Sequence, residues 1–282
     1  MSRDRRRGVT FRAALLALGV GAFAARGCTP AQETRHRPER VMVVGVDVSG
    51  SFRGSGHYEE ALDFLAHYLY GHLNGVEEMI EPTALFVGPV GGDRPGQPRA
   101  FHPIHDFRGK DTEEIAADLR SWFEGEDRLT DYNAFFRRVS EVMKQRGLAL
   151  APTDIVILSD GVPDLTASAA SPALATGDGA AAGPDPAAGS TVPAEAYRAL
   201  DLGPLEYLSH SVTVRLLYPE PSVAAAWERN VERHRVRIWT TDATVMEGWR
   251  GQLREGAPAE AQDRLWTWVR DNVDHPVRGR LF

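Results

Sequence analysis

Two hydrophobic rhythms alternate along the chain from Val41 onward. "VMVVGVDV" is apolar at almost every position, as in a strand covered on both faces, whereas in the following "HYEEALDFLAHYLYGHL" the residues Leu62, Leu65, Leu69 and Leu73 recur at helical spacing. "TALFVGPV" predicts a second strand. "RAFHPIHDF" predicts a third, on an edge, because Pro103 has no backbone N–H to give to a neighbour. "DTEEIAADLRSWF" opens with a capping residue, Asp111 or Thr112, and carries acids in its first turn, where they complement the helix dipole. "NAFFRRVSEVM" aligns Phe135, Val139, Val142 and Met143 on one helical face, and "DIVILSDG" is again an apolar strand, ending in an acid. The order then continues with "SVTVRLLY", a helix around "SVAAAWERNVE", the short strand "VRIWTTD", and a terminal helix in which Leu265, Trp268 and Val269 share a face. Apolar strands alternating with helices predict an α/β fold: a doubly wound, mostly parallel central sheet flanked by helices on both faces, Rossmann-like in its layering. Trp227, Trp239, Trp249, Trp266 and Trp268 read as core and interface aromatics of that fold.

Other stretches fall outside the rhythm. Residues 166–193, "TASAASPALATGDGAAAGPDPAAGSTVP", contain almost no large apolar side chains and cannot bury enough surface to offset the entropy of ordering, so they predict a flexible insertion. At the amino terminus "MSRDRRR" is a basic region, and Ala13 to Ala25 form an apolar stretch too short to span a bilayer core of ~30 Å, the pattern of an export leader. Two exits from it compete: cleavage after Ala22-Phe23-Ala24, or processing before Cys28 in "AARGC" to give a lipid-anchored amino terminus. The second resembles a bacterial lipoprotein signal, from which Arg26 departs. Residues 28–40 then form a polar, proline-punctuated tether, the domain runs over 41–275, and 276–282 are a tail.

Charge and cysteine use narrow the classes further. The net charge is −7, and residues 1–27 hold six arginines against one aspartate, which leaves the rest of the chain at −12. A body that acidic excludes nucleic acid as a partner, because such binding rests on Lys and Arg neutralising phosphates. Cys28 is the single cysteine, so no internal disulfide forms. The expected location is therefore the cell envelope, with the chain exported and held at a membrane by its lipid or leader.

The chemistry gathers where apolar strands end. In doubly wound sheets ligands bind outside the carboxyl ends of the strands. The first strand brings Asp47, Ser49 and Ser51 there, two apart, so that an extended or gently turning backbone projects all three to one side. "LSDG" brings Asp160, and "RLTDYNAFF" places Thr130 just before a helix, to cap it or to reach a metal. Carboxylates and hydroxyls are hard oxygen donors suited to Mg²⁺ or Mn²⁺. Asp47-Val48-Ser49-Gly50-Ser51, then Thr130, then Asp160 resemble, in order and on the matching elements, the metal-ion-dependent adhesion site (MIDAS) of von Willebrand factor type A (VWA) domains, over about residues 41–245. That resemblance implies that Ser49 and Ser51 ligate the cation directly, Thr130 directly or through water, and Asp47 and Asp160 largely through bound waters. It also implies that an acidic side chain of a partner protein completes the shell. Arg128-Leu129 depart from the family, many members of which have small residues before the threonine.

Rival chemistries lack parts. "GVDVSGS" has the glycine spacing of a phosphate loop without its lysine, no G-x-S-x-G elbow surrounds either serine, and His102 and His105 have no further ligands to complete a zinc site. The reading is a binding module and not an enzyme, with a Mg²⁺-dependent phosphoester hydrolase built on the same acids and hydroxyls, or a metal-free envelope scaffold, as the alternatives.

Overall fold

A computed structural model describes residues 40–91, 100–125, 129–164, 192–208 and 211–274. The leader, Cys28, nearly all of the tether, the insertion up to residue 191, Arg128 and the tail lie outside the described residues.

The described chain is a six-stranded sheet in the order β3-β2-β1-β4-β5-β6. Its strands are β1 (Val41–Val46), β2 (Ala84–Pro89), β3 (His102–Pro103), β4 (Thr153–Leu158), β5 (Val212–Leu217) and β6 (Arg237–Thr241). All pairings are parallel except β2 with the edge strand β3. Pro103 is therefore on the edge strand, where its missing N–H leaves no inner ladder incomplete. His102 on that strand stacks on Trp122 with ring centroids 3.7 Å apart, and His105 is exposed.

Alternation along the strands feeds two cores. Met42, Val44, Val46, Val156 and Leu158 face one layer, formed by α1 (Gly50–Gly54), α2 (Tyr58–Leu73), α3 (Thr112–Trp122) and the terminal helix described below. Val41, Val43, Ile155, Ile157 and Val214 face the other, built on α4 (Tyr132–Gln145). Three short or medium helices complete that second layer: α5 (Ala194–Arg198), α6 (Gly203–Glu206) and α7 (Pro221–Asn230). The chain closes through α8 (Ala243–Met246) and the terminal helix α9 (Asp263–Asn272). The fold is thus α/β with a mostly parallel sheet covered on both faces, as the alternating rhythm predicts.

Local chemistry sets the helix boundaries. Asp111 caps α3 in a reciprocal box, its carboxylate accepting from the Glu114 N–H while the Glu114 side chain accepts from the Asp111 N–H. On α9 the buried set is Leu265, Trp266 and Val269, whereas Trp268 is only partly buried, so the apolar face is rotated from the one the sequence predicts. Adjacent tryptophans compete for one face, and Trp266 takes it by donating its indole N–H to the Ala259 carbonyl at 2.9 Å. Among the described residues no helix is long and apolar enough to cross a membrane.

Candidate metal centre

From β1 the chain winds out through β2 to β3, then returns to place β4 on the other side of β1. Connections leaving in opposite directions open a crevice outside the carboxyl ends of β1 and β4, the usual ligand position in such sheets. The two ends are in register: Val46 lies opposite Leu158, and the Asp47 N–H donates to the Leu158 carbonyl at 2.9 Å. Asp47 therefore leaves β1 beside Ser159 and Asp160 leaving β4.

Past Asp47 the backbone does not stay extended. Asp47 Oδ1 accepts the Ser49 N–H at 2.9 Å, turning the chain, and Ser49 then caps α1, its Oγ accepting the Phe52 N–H at 3.5 Å. The hydroxyls of Ser49 and Ser51 end 3.1 Å apart. They meet through a turn and a helix start, not through the two-residue alternation of a strand. The cap of the helix after Thr130 is made by the neighbouring residue and not by Thr130. Asp131 caps α4, accepting the Ala134 N–H at 2.8 Å, which leaves the buried Thr130 hydroxyl 3.4 Å from each oxygen of Asp47. On the far side, Asp160 Oδ1 accepts the Val162 N–H at 3.0 Å, and Gly161 turns the chain at φ +77°. A Cβ at Gly161 would lie 2.9 Å from both Leu216 Cδ2 and Val223 Cγ1, so any other residue here is strained. The Trp227 indole fixes this turn by donating to the Gly161 carbonyl at 2.7 Å.

The sequence-predicted oxygens thus gather at one rim: Ser49 touches Ser51, Thr130 faces Asp47, and Asp160 is close enough to act on Asp47 electrostatically. Burial, followed by the charge of Asp160, pushes Asp47 up to about 6, against the hydrogen bonds from Ser159 and Ser49. Asp160 is raised by burial too, with the Ser51 hydroxyl, the Val162 N–H and the Ser159 hydroxyl opposing. Among the described residues no lysine, arginine or histidine acts on these two carboxylates. Two acids withdrawn from water beside three hydroxyls, with no cationic side chain among the described residues, suit a hard divalent ion such as Mg²⁺ or Mn²⁺.

Sequence reasoning missed the support behind Asp47. Ser159, fully buried, donates to Asp47 Oδ2 at 2.5 Å, and the buried Tyr132 hydroxyl lies 2.6 Å from Ser159 Oγ. Since the single Ser159 proton goes to the carboxylate, Tyr132 must be the donor to Ser159, and the chain runs Tyr132 to Ser159 to Asp47. Burial, with the charges of Asp47 and Asp160 adding to it, holds the Tyr132 phenol well above its ordinary range, so it keeps its proton. The available signal was a hydroxyl ending an apolar strand in "LSDG".

No family model matches the chain, and no curated protein matches it. The case for a metal centre rests on its own donor set. Among the described residues no three His, Cys, Asp or Glu side chains cluster as metal ligands. The set at the strand ends is of another kind, two carboxylates with Ser49, Ser51 and Thr130. Leu129, next to Thr130, is exposed at 41%, an apolar side chain beside a polar rim.

Proposed function

We propose that the chain is a VWA-type binding module whose MIDAS-like rim holds Mg²⁺ or Mn²⁺ and, through that cation, an Asp or Glu of a partner protein. Ser49, Ser51 and Thr130 supply neutral oxygens, and Asp47 and Asp160 supply charge mainly through bound water. The observation that carries this reading is the pair of carboxylates withdrawn from water, Asp47 buried and Asp160 half-buried, with no basic side chain among the described residues acting on either. A mostly neutral inner shell leaves a divalent ion electrophilic enough to attract an outside carboxylate. The lack of a basic group beside the acids among the described residues favours a binding module over a phosphoester hydrolase, whose transferring group needs a cationic clamp.

The leader and Cys28 place the module, in this reading, outside the cytoplasm on a lipid tether. Metabolic labelling with palmitate is then expected to mark the protein and to be lost in Cys28→Ser, and equal labelling of both proteins refutes the anchor. For the module itself, capture of an envelope protein on immobilised full chain in Mg²⁺ is expected to be released by chelator and absent with Ser49→Ala. Capture indifferent to both contradicts the reading.

A further inference from the structure

A cavity lies at the end of the sheet opposite the metal rim. Parallel strands covered on both faces are normally apolar throughout, yet β4 and β5 bury Asp154, Thr213 and Arg215. The register explains how they meet. Met42, Asp154, Thr213 and Arg237 are Cα partners in one row across β1, β4, β5 and β6, and Arg215 stands one pleat further along the same face of β5. Helices α2 and α9 flank this row and leave a cavity of about 430 Å³ between them, within the ~300–1,000 Å³ usual for small-molecule sites.

Arginines and carboxylates both line it, but they are unevenly paired. Arg40 pairs with Asp154 at 2.6 Å. His72 meets one oxygen of Asp274 at 2.9 Å, and the Tyr68 hydroxyl donates to the other at 2.7 Å. Both carboxylates of the inner wall are thereby engaged. Arg215, only 6% exposed, donates to the Val273 carbonyl at 2.5 Å and has no carboxylate at ion-pairing distance among the described residues. Arg237 has no partner among the described residues, and Arg270 reaches only Asp271, at 3.6 Å on the surface. Three guanidinium groups therefore line one cavity with no carboxylate at ion-pairing distance inside it among the described residues, Asp274 acting on Arg215 only from further away. Guanidinium forks match carboxylate and phosphate oxygens in paired hydrogen bonds, and the buried one gains most from such a partner. Met42, Met79 and Ile80 add an apolar wall, suited to a short hydrocarbon body behind an anionic head.

We propose that this cavity binds a small soluble organic anion, its phosphate or carboxylate head on Arg215, Arg237 and Arg270 and its body against Met42, Met79 and Ile80. The mouth favours a free anion over a lipid headgroup. Exposed Glu77 and Glu78 rim it, both held at positive φ (49° and 65°), and their charges would be repelled from an anionic bilayer.

The test is calorimetry of the full chain in chelator at fixed ionic strength, with inorganic phosphate and butyl phosphate as probes. Saturable binding is expected, with butyl phosphate tighter, at least tenfold weakening in Arg237→Gln and in Arg270→Gln, and loss in Arg215→Gln. Asp47→Ala, at the other end of the sheet, should bind the probes as the parent does. Because Arg215→Gln removes a buried group, the two exposed-arginine variants decide if it fails to fold. Heats that do not saturate, or that are equal in the parent, Arg237→Gln and Arg270→Gln, overturn the proposal. Binding to phosphatidic acid vesicles with none to the soluble probes overturns the assignment to a free anion.

Discussion

At the scale of single residues the metal rim is a problem in compensating buried charge. Asp47 is pushed up to about 6 by its burial and by Asp160, so without metal it binds a proton in the folded state more tightly than in the unfolded one. The contribution of that shift to stability is full below the unfolded value near 3.8 and is lost as pH rises through about 6, on the order of 3 kcal/mol. In chelator the melting temperature should therefore carry a falling component between pH 4 and 7. Saturating Mg²⁺ should remove it, because the cation replaces the proton; identical pH profiles with and without Mg²⁺ would contradict this. The same competition predicts that cation affinity weakens as pH falls from 7 to 5. Ser159→Ala removes the hydroxyl that orients Asp47 and leaves Tyr132 without its acceptor. Support of this kind is worth roughly 10–100-fold in metal affinity, so Mn²⁺ titration of Ser159→Ala should show a loss of that order with the fold retained by circular dichroism.

At the scale of elements, the strand ends work because turns and caps take over where the ladders stop. Gly161→Ala places a Cβ against Leu216 and Val223 at a left-handed position, and should lower stability by roughly 1–3 kcal/mol while displacing Asp160 and weakening Mn²⁺ binding. Asp111→Ala removes only the cap of α3, and should cost about 1 kcal/mol in chemical denaturation with Mn²⁺ affinity unchanged. Much of this level was legible in advance. The five rim residues are named through the resemblance to the adhesion site, although the serines meet by a turn and a helix start and not by strand spacing. The strands, the edge position of Pro103 and the long helices follow from period and proline chemistry. The helix α1 did not, since "GSFRG" is too short to show a period and its start depends on Asp47 turning the chain back onto the Ser49 N–H. Nor did the Trp266 face of α9, decided by a hydrogen bond to the Ala259 carbonyl ahead of the helix, or the Tyr132–Ser159 support, which joins residues 27 apart through a hydroxyl pair.

At the scale of the whole molecule, the two ends of the sheet carry different polar chemistry on one apolar body. The far end ties α2 to the terminal helix: His72 is buried, which by itself lowers its affinity for a proton, but the charge and hydrogen bond of Asp274 more than offset this and raise it above its ordinary value. Asp274 in turn is held below the carboxylate range: burial alone would raise it, but His72, Arg215 and Tyr68 outweigh that. The pair therefore stabilises the fold between the two shifted values, and its contribution should fade as pH rises above about 6.5 through the raised His72 value, or drops below about 4 through the lowered Asp274 value. The near end carries the central claim, that the rim made by Asp47, Ser49, Ser51, Thr130 and Asp160 holds a divalent cation. Calorimetric titration of Mg²⁺ and Mn²⁺ into the purified chain at pH 7, with Asp47→Ala alongside, tests it most directly. Saturable heats from the parent that vanish in Asp47→Ala are predicted, and equal heats from both proteins, or none from either, would contradict it.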